Sequence, residues 1–210
     1  MTSHREHVRR DRPGWGGLLL ATLLAGCTHV PFDPAPVVPT KHRLPQSARL
    51  SLLDIGAYTV EAGATMSPEP HLHNRVTGQV ASLTADRRRW EQAVADYVSA
   101  RQTFRSVQTD GKADLTVSLR VIIYIDPSLG FKFNTVYVVR ADAQVQEAAS
   151  GQVVGDFSGF GKAAGVVRRT GPRDDEGPVN AAMHAALNDL FGALESDRRV
   201  TGLRTTGTPR

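Results

Sequence analysis

Leu115-Thr116-Val117-Ser118-Leu119-Arg120-Val121-Ile122-Ile123-Tyr124-Ile125 is the stretch that decides the fold. Apolar side chains at the odd positions, with Thr116, Ser118 and Arg120 between them, follow the two-residue period of a strand with one face on a core. Ile122 and Tyr124 break the alternation, so the second half of this strand is apolar on both faces and calls for cover on both. Downstream, Asp126-Pro127-Ser128-Leu129-Gly130 supplies turn residues. Val139, Ala141, Ala143 and Val145 then alternate with Arg140, Asp142, Gln144 and Gln146, and Ala149-Ser150-Gly151 reads as a hairpin turn into a strand over Gln152–Phe160. The three strands form an antiparallel meander with one apolar face.

Upstream, Trp90, Ala93, Val94, Tyr97, Val98 and Arg101 share one helical stripe from Asp86 onward, with Thr84 as N-cap. Arg49–Ile55 is a short strand, and residues 61–80 read as loop. Beyond the meander, residues 161–177 carry Gly161, Gly165, Gly171 and Gly177 and also read as loop. Pro178 then opens a helix whose Met183, Ala186, Leu187, Leu190, Phe191 and Leu194 form an apolar stripe, with Arg198 and Arg199 at its negative end. Residues 200–210 are polar and read as a disordered tail. The expected architecture is α+β, a two-layer sandwich: an antiparallel sheet of about four strands, covered on one face by two amphipathic helices.

Arg5, Arg9, Arg10 and Arg12 precede the short apolar run Leu18–Ala25. At about 1.5 Å per residue, that run is too short for a hydrocarbon core about 30 Å thick, so residues 1–26 read as a removable leader. Leu24-Ala25-Gly26-Cys27 has the order of a bacterial lipobox: an apolar residue, two small residues that admit a peptidase, then a thiol to be alkylated by diacylglycerol. Cys27 is the chain's single cysteine, which excludes an internal disulfide. The formal charge of +4 falls to +2 once the leader is removed, too little to imply a polyanion such as nucleic acid. Pro31, Pro34, Pro36, Pro39 and Pro45 mark residues 27–47 as a lipidated cysteine with an extended tether, ahead of a domain over 48–199.

Few side chains suggest chemistry. His71 and His73, with Glu69 nearby, would share a face of an extended segment but lack further ligands, so no metal site is read there. His184 sits one position past the last helix's stripe. The glycines of Gly155-Asp156-Phe157-Ser158-Gly159-Phe160-Gly161 lack the parallel strand and following helix of a phosphate loop, and suit a twisted or bulged strand. Arg168, Arg169 and Arg173 are offset by Asp174-Asp175-Glu176. No catalytic residues and no cofactor are expected.

The lipobox, the strand from Ala113 to Ile125, the hairpin at Ser150-Gly151 and Val179-Asn180-Ala181-Ala182 together resemble small bacterial outer-membrane lipoproteins of the YajG-like group. There is a looser likeness to envelope accessory domains such as the N-terminal domain of TolB. The resemblance implies an outer-membrane, periplasm-facing, non-enzymatic module with a protein partner. A lipid or small-ligand carrier and a periplasmic hydrolase using His184 or His71 are the rival readings.

Overall fold

A computed structural model describes residues 32–60, 76–79, 87–108, 110–126, 134–166 and 176–203. Thr84, the turn at 127–130 and the tail from 204 lie outside them. In chain order the elements are β1 (Leu44–Val60), β2 (Val76–Gln79), α1 (Arg87–Arg101), β3 (Phe104–Gln108), β4 (Leu115–Asp126), β5 (Asn134–Glu147), β6 (Val153–Val166), α2 (Glu176–Ser196) and α3 (Arg198–Thr201).

The meander forms as its alternation requires. Leu119 lies opposite Ala143, and Ala143 opposite Phe157, in an antiparallel β4-β5-β6 array. Strand β6 continues through residues 161–166, which had been expected as loop.

The sheet differs from the expected four antiparallel strands. Among the described residues it has six, in the order β2-β1-β4-β5-β6 with β3 also on β1, and it is mixed. Strand β1 is far longer than Arg49–Ile55 and lies parallel to β4, with Leu50 beside Val117 and Ala57 beside Ile123. The physical reason is the connection: α1 carries the chain back to the end where β1 began, so the strands after it repeat β1's direction. Strand β3 pairs parallel with the first part of β1 and β2 antiparallel with its last residues. Both are too short to show a period, which hides them in the sequence. They share one edge of β1 while β4 takes the other, so residues 110–114 carry the chain across β1.

One face of the sheet and the two long helices enclose the core. The odd positions Leu115–Ile123 and the α2 stripe Met183–Leu194 are at most 1% exposed. Contact between α2 and the sheet is made of small residues. A Cβ on Gly161 would lie 2.6 Å from the Ala186 nitrogen, and one on Gly159 would lie 2.7 Å from the Leu190 Cβ. These two glycines therefore serve the close approach of a helix backbone to a strand, not a phosphate loop, and the bulge expected of the glycine run falls at its start, where the β5–β6 register shifts beside Gly155. On the opposite face Ile122, Tyr124, Val136 and Val138 form a second buried cluster with Tyr58 against it, which accounts for the doubly apolar half of β4.

Two boundaries move. Residues 32–43 lie on the domain, and 44–47 are already β1, so most of the expected tether belongs to the fold. At the other end, Asp197 caps α3 by accepting from the Arg199 N–H, Val200 is fully buried and Leu203 packs against the core.

Replacing Gly161 with Ala is expected to push α2 off β6 and to cost about 3 kcal/mol or more. Gly177→Ala, which meets open space, should be neutral or stabilising by less than about 1 kcal/mol. Urea denaturation of the two variants compares them directly.

Candidate functional site

Leu24, Ala25, Gly26 and Cys27 lie outside the described residues, as do Glu69, His71, His73, Arg168, Arg169 and Arg173. His184 is placed. Its Nε2 is 2.8 Å from the Asp33 carbonyl, and its ring packs on Phe32 and Tyr97 with centroids 5.3 and 5.5 Å away. It therefore helps to hold the N-terminal segment. Among the described residues no group of three or more His, Cys, Asp and Glu could hold a metal ion, and no helix is long and apolar enough to cross a membrane.

The most developed constellation is the groove between α1 and α2. The helices run side by side in the same direction: Tyr97 meets Asn188 and Phe191, and one turn on Arg101 meets Glu195. Residues 32–43 lie along them as a strap. At the N-terminal ends of both helices, buried Phe32 stacks on Trp90 with ring centroids 5.7 Å apart, and the Asp33 N–H donates to Asn180 Oδ1 at 2.6 Å. At the C-terminal ends the Thr40 N–H donates to the Arg101 carbonyl at 2.7 Å, and the Thr40 hydroxyl donates to Glu195 at 2.7 Å. Pro34 and Pro39 restrict the backbone of the strap between these two attachments. Among the described residues the buried Trp90 Nε1–H has no partner, and the indole is held by its stacking on Phe32.

Glu195 is the centre of the lower attachment. Its carboxylate accepts from Arg101 Nε at 2.9 Å, Arg101 Nη2 at 3.0 Å and the Thr103 hydroxyl at 2.7 Å as well as from Thr40. The side chains of Arg101 and Glu195 are only 11% and 4% exposed, so each charge depends on the other. Burial works against the Arg101 charge, but the hydrogen bond and charge of Glu195 outweigh it and hold the guanidinium above its usual range. Asn188 Oδ1 accepts from both Arg101 and the Tyr97 hydroxyl, each at 2.6 Å. Burial pushes the Tyr97 phenol above its ordinary 10.0, against the opposing effect of Arg101.

A second polar knot ties the strand crossing. Asp114 Oδ2 accepts from the Ser47 N–H and hydroxyl, both at 2.8 Å, and from Arg105 at 3.2 Å, while the Asp114 N–H donates to the Ser47 oxygen at 3.0 Å. Beside it lies a cleft of about 580 Å³, lined in part by Arg49, Ser51, Asp110, Thr116 and Ser118. Arg49 is engaged with Thr116 at 3.3 Å. The cleft's lining is more polar than apolar.

Sequence reasoning passed over Phe32, Thr40, Asn188 and Glu195. The available signal was charge within the stripes: Arg101 lies on the α1 stripe, and Glu195 lies four residues after Phe191 on α2.

No family model and no curated protein matches this chain. Three solved structures are similar to it. A Xanthomonas campestris protein of family DUF330 has 14% identity and a TM-score of 0.49, over 83% of this chain and 95% of that one. A candidate lipoprotein from Caulobacter crescentus has 12% identity and a TM-score of 0.36, over 50% and 77%. A candidate homologue of the neuraminyllactose-binding haemagglutinin from Helicobacter pylori has 11% identity and a TM-score of 0.44, over 81% and 96%. These likenesses carry no inference about the groove.

Glu195→Ala strands the Arg101 charge and is expected to cost about 3–5 kcal/mol, and Phe32→Ala about 3 kcal/mol, both measured by urea denaturation. A raised Tyr97 pKa stabilises the fold below about pH 10, and that contribution is lost as the pH climbs past it, because the unfolded chain releases the proton first. Tyr97→Phe should therefore flatten the stability profile above about pH 10, as measured by urea denaturation.

Proposed function

We propose that this chain is a lipid-anchored envelope protein, acylated at Cys27 after removal of residues 1–26, whose domain works without catalysis as an interaction module facing the periplasm from the outer membrane. The observation that carries this is Leu24-Ala25-Gly26-Cys27, with the only cysteine at the one position the acyl-transfer chemistry needs. The position of the domain supports it: Phe32, the first described residue and a member of the buried core, follows Cys27 by five residues, so the docked chain reaches close to the anchor.

A non-catalytic reading is supported by how the polar groups are used. The buried acids Glu195 and Asp114 are each held by several donors from other elements, and His184 is tied to a backbone carbonyl. Such groups fix geometry. The carrier reading rests on the doubly apolar end of β4, and among the described residues Ile122, Tyr124, Val136 and Val138 there pack on one another.

Intact-mass analysis of the protein from membranes should show loss of residues 1–26 and gain of acyl chains on Cys27. Cys27→Ser should give an unprocessed precursor whose thermal unfolding matches the parent. An unmodified thiol on freely soluble protein overturns the reading. In-cell crosslinking with mass spectrometry then identifies the partner, and reproducible recovery of none counts against the interaction role.

A further inference from the structure

The strap is fastened at its two ends, with little between them. Of residues 32–43 only Phe32 is buried; Val37 packs in part against the core, and Val38 is 79% exposed. Pro34, Pro36 and Pro39 lack the N–H that a strand would donate. The hold therefore comes from the Phe32 ring with the Asp33 backbone at one end and from Thr40 at the other.

The groove beneath does not need the strap's polar groups. Without Thr40, Glu195 keeps both bonds from Arg101 and the one from Thr103, and Asn188 keeps those from Tyr97 and Arg101. Departure of the strap strands no charge. It uncovers the Phe32 ring and the indole face beneath it, and it returns backbone freedom to residues 32–43. Beyond Arg43 the chain is fixed: Leu44 is buried and its N–H donates to the Thr103 carbonyl at 2.7 Å, while Arg43 donates to the Phe104 and Arg105 carbonyls at 3.3 and 2.8 Å.

We propose that the strap is a latch with two positions, docked in the α1–α2 groove or released as one unit up to Arg43 while the domain stays folded, and that its position sets how far the domain stands from the bilayer. The distance part rests on acylation of Cys27. Docked, five residue steps join the anchor to Phe32, at most about 18 Å; released, seventeen steps join it to Leu44, at most about 60 Å. Each attachment keeps the other near its seat, so loss of one promotes loss of the other. A partner that holds the domain away from the membrane favours the released position, and a domain left alone returns Phe32 to Trp90.

The test uses the full acylated protein in phosphatidylcholine vesicles, with amide hydrogen exchange read by mass spectrometry. The Asp33 and Thr40 amides should exchange about tenfold or more faster than the β5 ladder, with matching protection at the two. Phe32→Ala should speed exchange about tenfold at both, including Thr40 at the far end, and Thr40→Val should in turn speed it at Asp33. Continued protection of β5 shows that each variant is folded. Removal of residues 1–26 takes Trp15 and leaves Trp90 as the single tryptophan. The efficiency of energy transfer from Trp90 to dansyl-labelled lipid headgroups, measured against unlabelled vesicles, should fall by about half or more in Phe32→Ala. Strap amides that exchange no faster than those of β5, or a response confined to the substituted end, overturn the latch. The expected exchange with unchanged transfer overturns its control of distance. Protein that fails to float with the vesicles overturns the acylation reading, and exchange in that same protein still decides release.

Discussion

Close contact between α2 and the meander is the constraint on which the other packing depends. Because Gly159 and Gly161 present no side chain, the helix backbone settles onto β6 and its stripe reaches the small residues of β5, Ala141 and Ala143. Once α2 is seated there, its flank presents His184, Asn188 and Glu195 toward α1. The two helices then leave between them the groove in which Phe32 and Thr40 lie. A larger residue in the β6 seam would disturb the sheet layer and, through the helix, the hold on the N-terminal strap.

Much of this was legible in the sequence, and the reasons differ by element. Strand β4, the alternating part of β5 and the stripes of α1 and α2 were readable because each buries a whole face, and burial is what imposes a period. The mixed character of the sheet was not readable: parallel pairing of β1 with β4 follows from the route of the chain through α1, and no local residue pattern records it. Strands β2 and β3 pair along β1's backbone and are too short to carry a period; in β3 only Phe104 is buried. The prolines of residues 31–45 were read as keeping the chain away from the domain. They do restrict its backbone, but Phe32 and Thr40 fasten that chain to the helices.

Polar groups divide the same way. Tyr97, Arg101, Asn188 and Glu195 come from two helices about ninety residues apart in sequence, so their meeting is a tertiary fact. The outer face of the sheet carries short-range pairs instead: Arg140 with Asp142 at 2.9 Å, Ser158 with Asp142 at 2.6 Å, and Gln144 with Asp156 at 3.1 Å. The Ser158 and Gln144 pairs are exposed and the Arg140–Asp142 pair is partly buried, and together these polar side chains keep that part of the sheet wetted.

The strap's course has a mechanical meaning. It enters at the first turns of the helices, runs along them to their last turns, and only there reverses into β1. Tension applied at residue 32 along the helix axes therefore loads the stacked rings, the Asn180 bond and the Thr40 attachment together in shear, not one after another as in a peeled zipper. Strand β1 and the sheet behind it feel no pull until that whole seam has slipped.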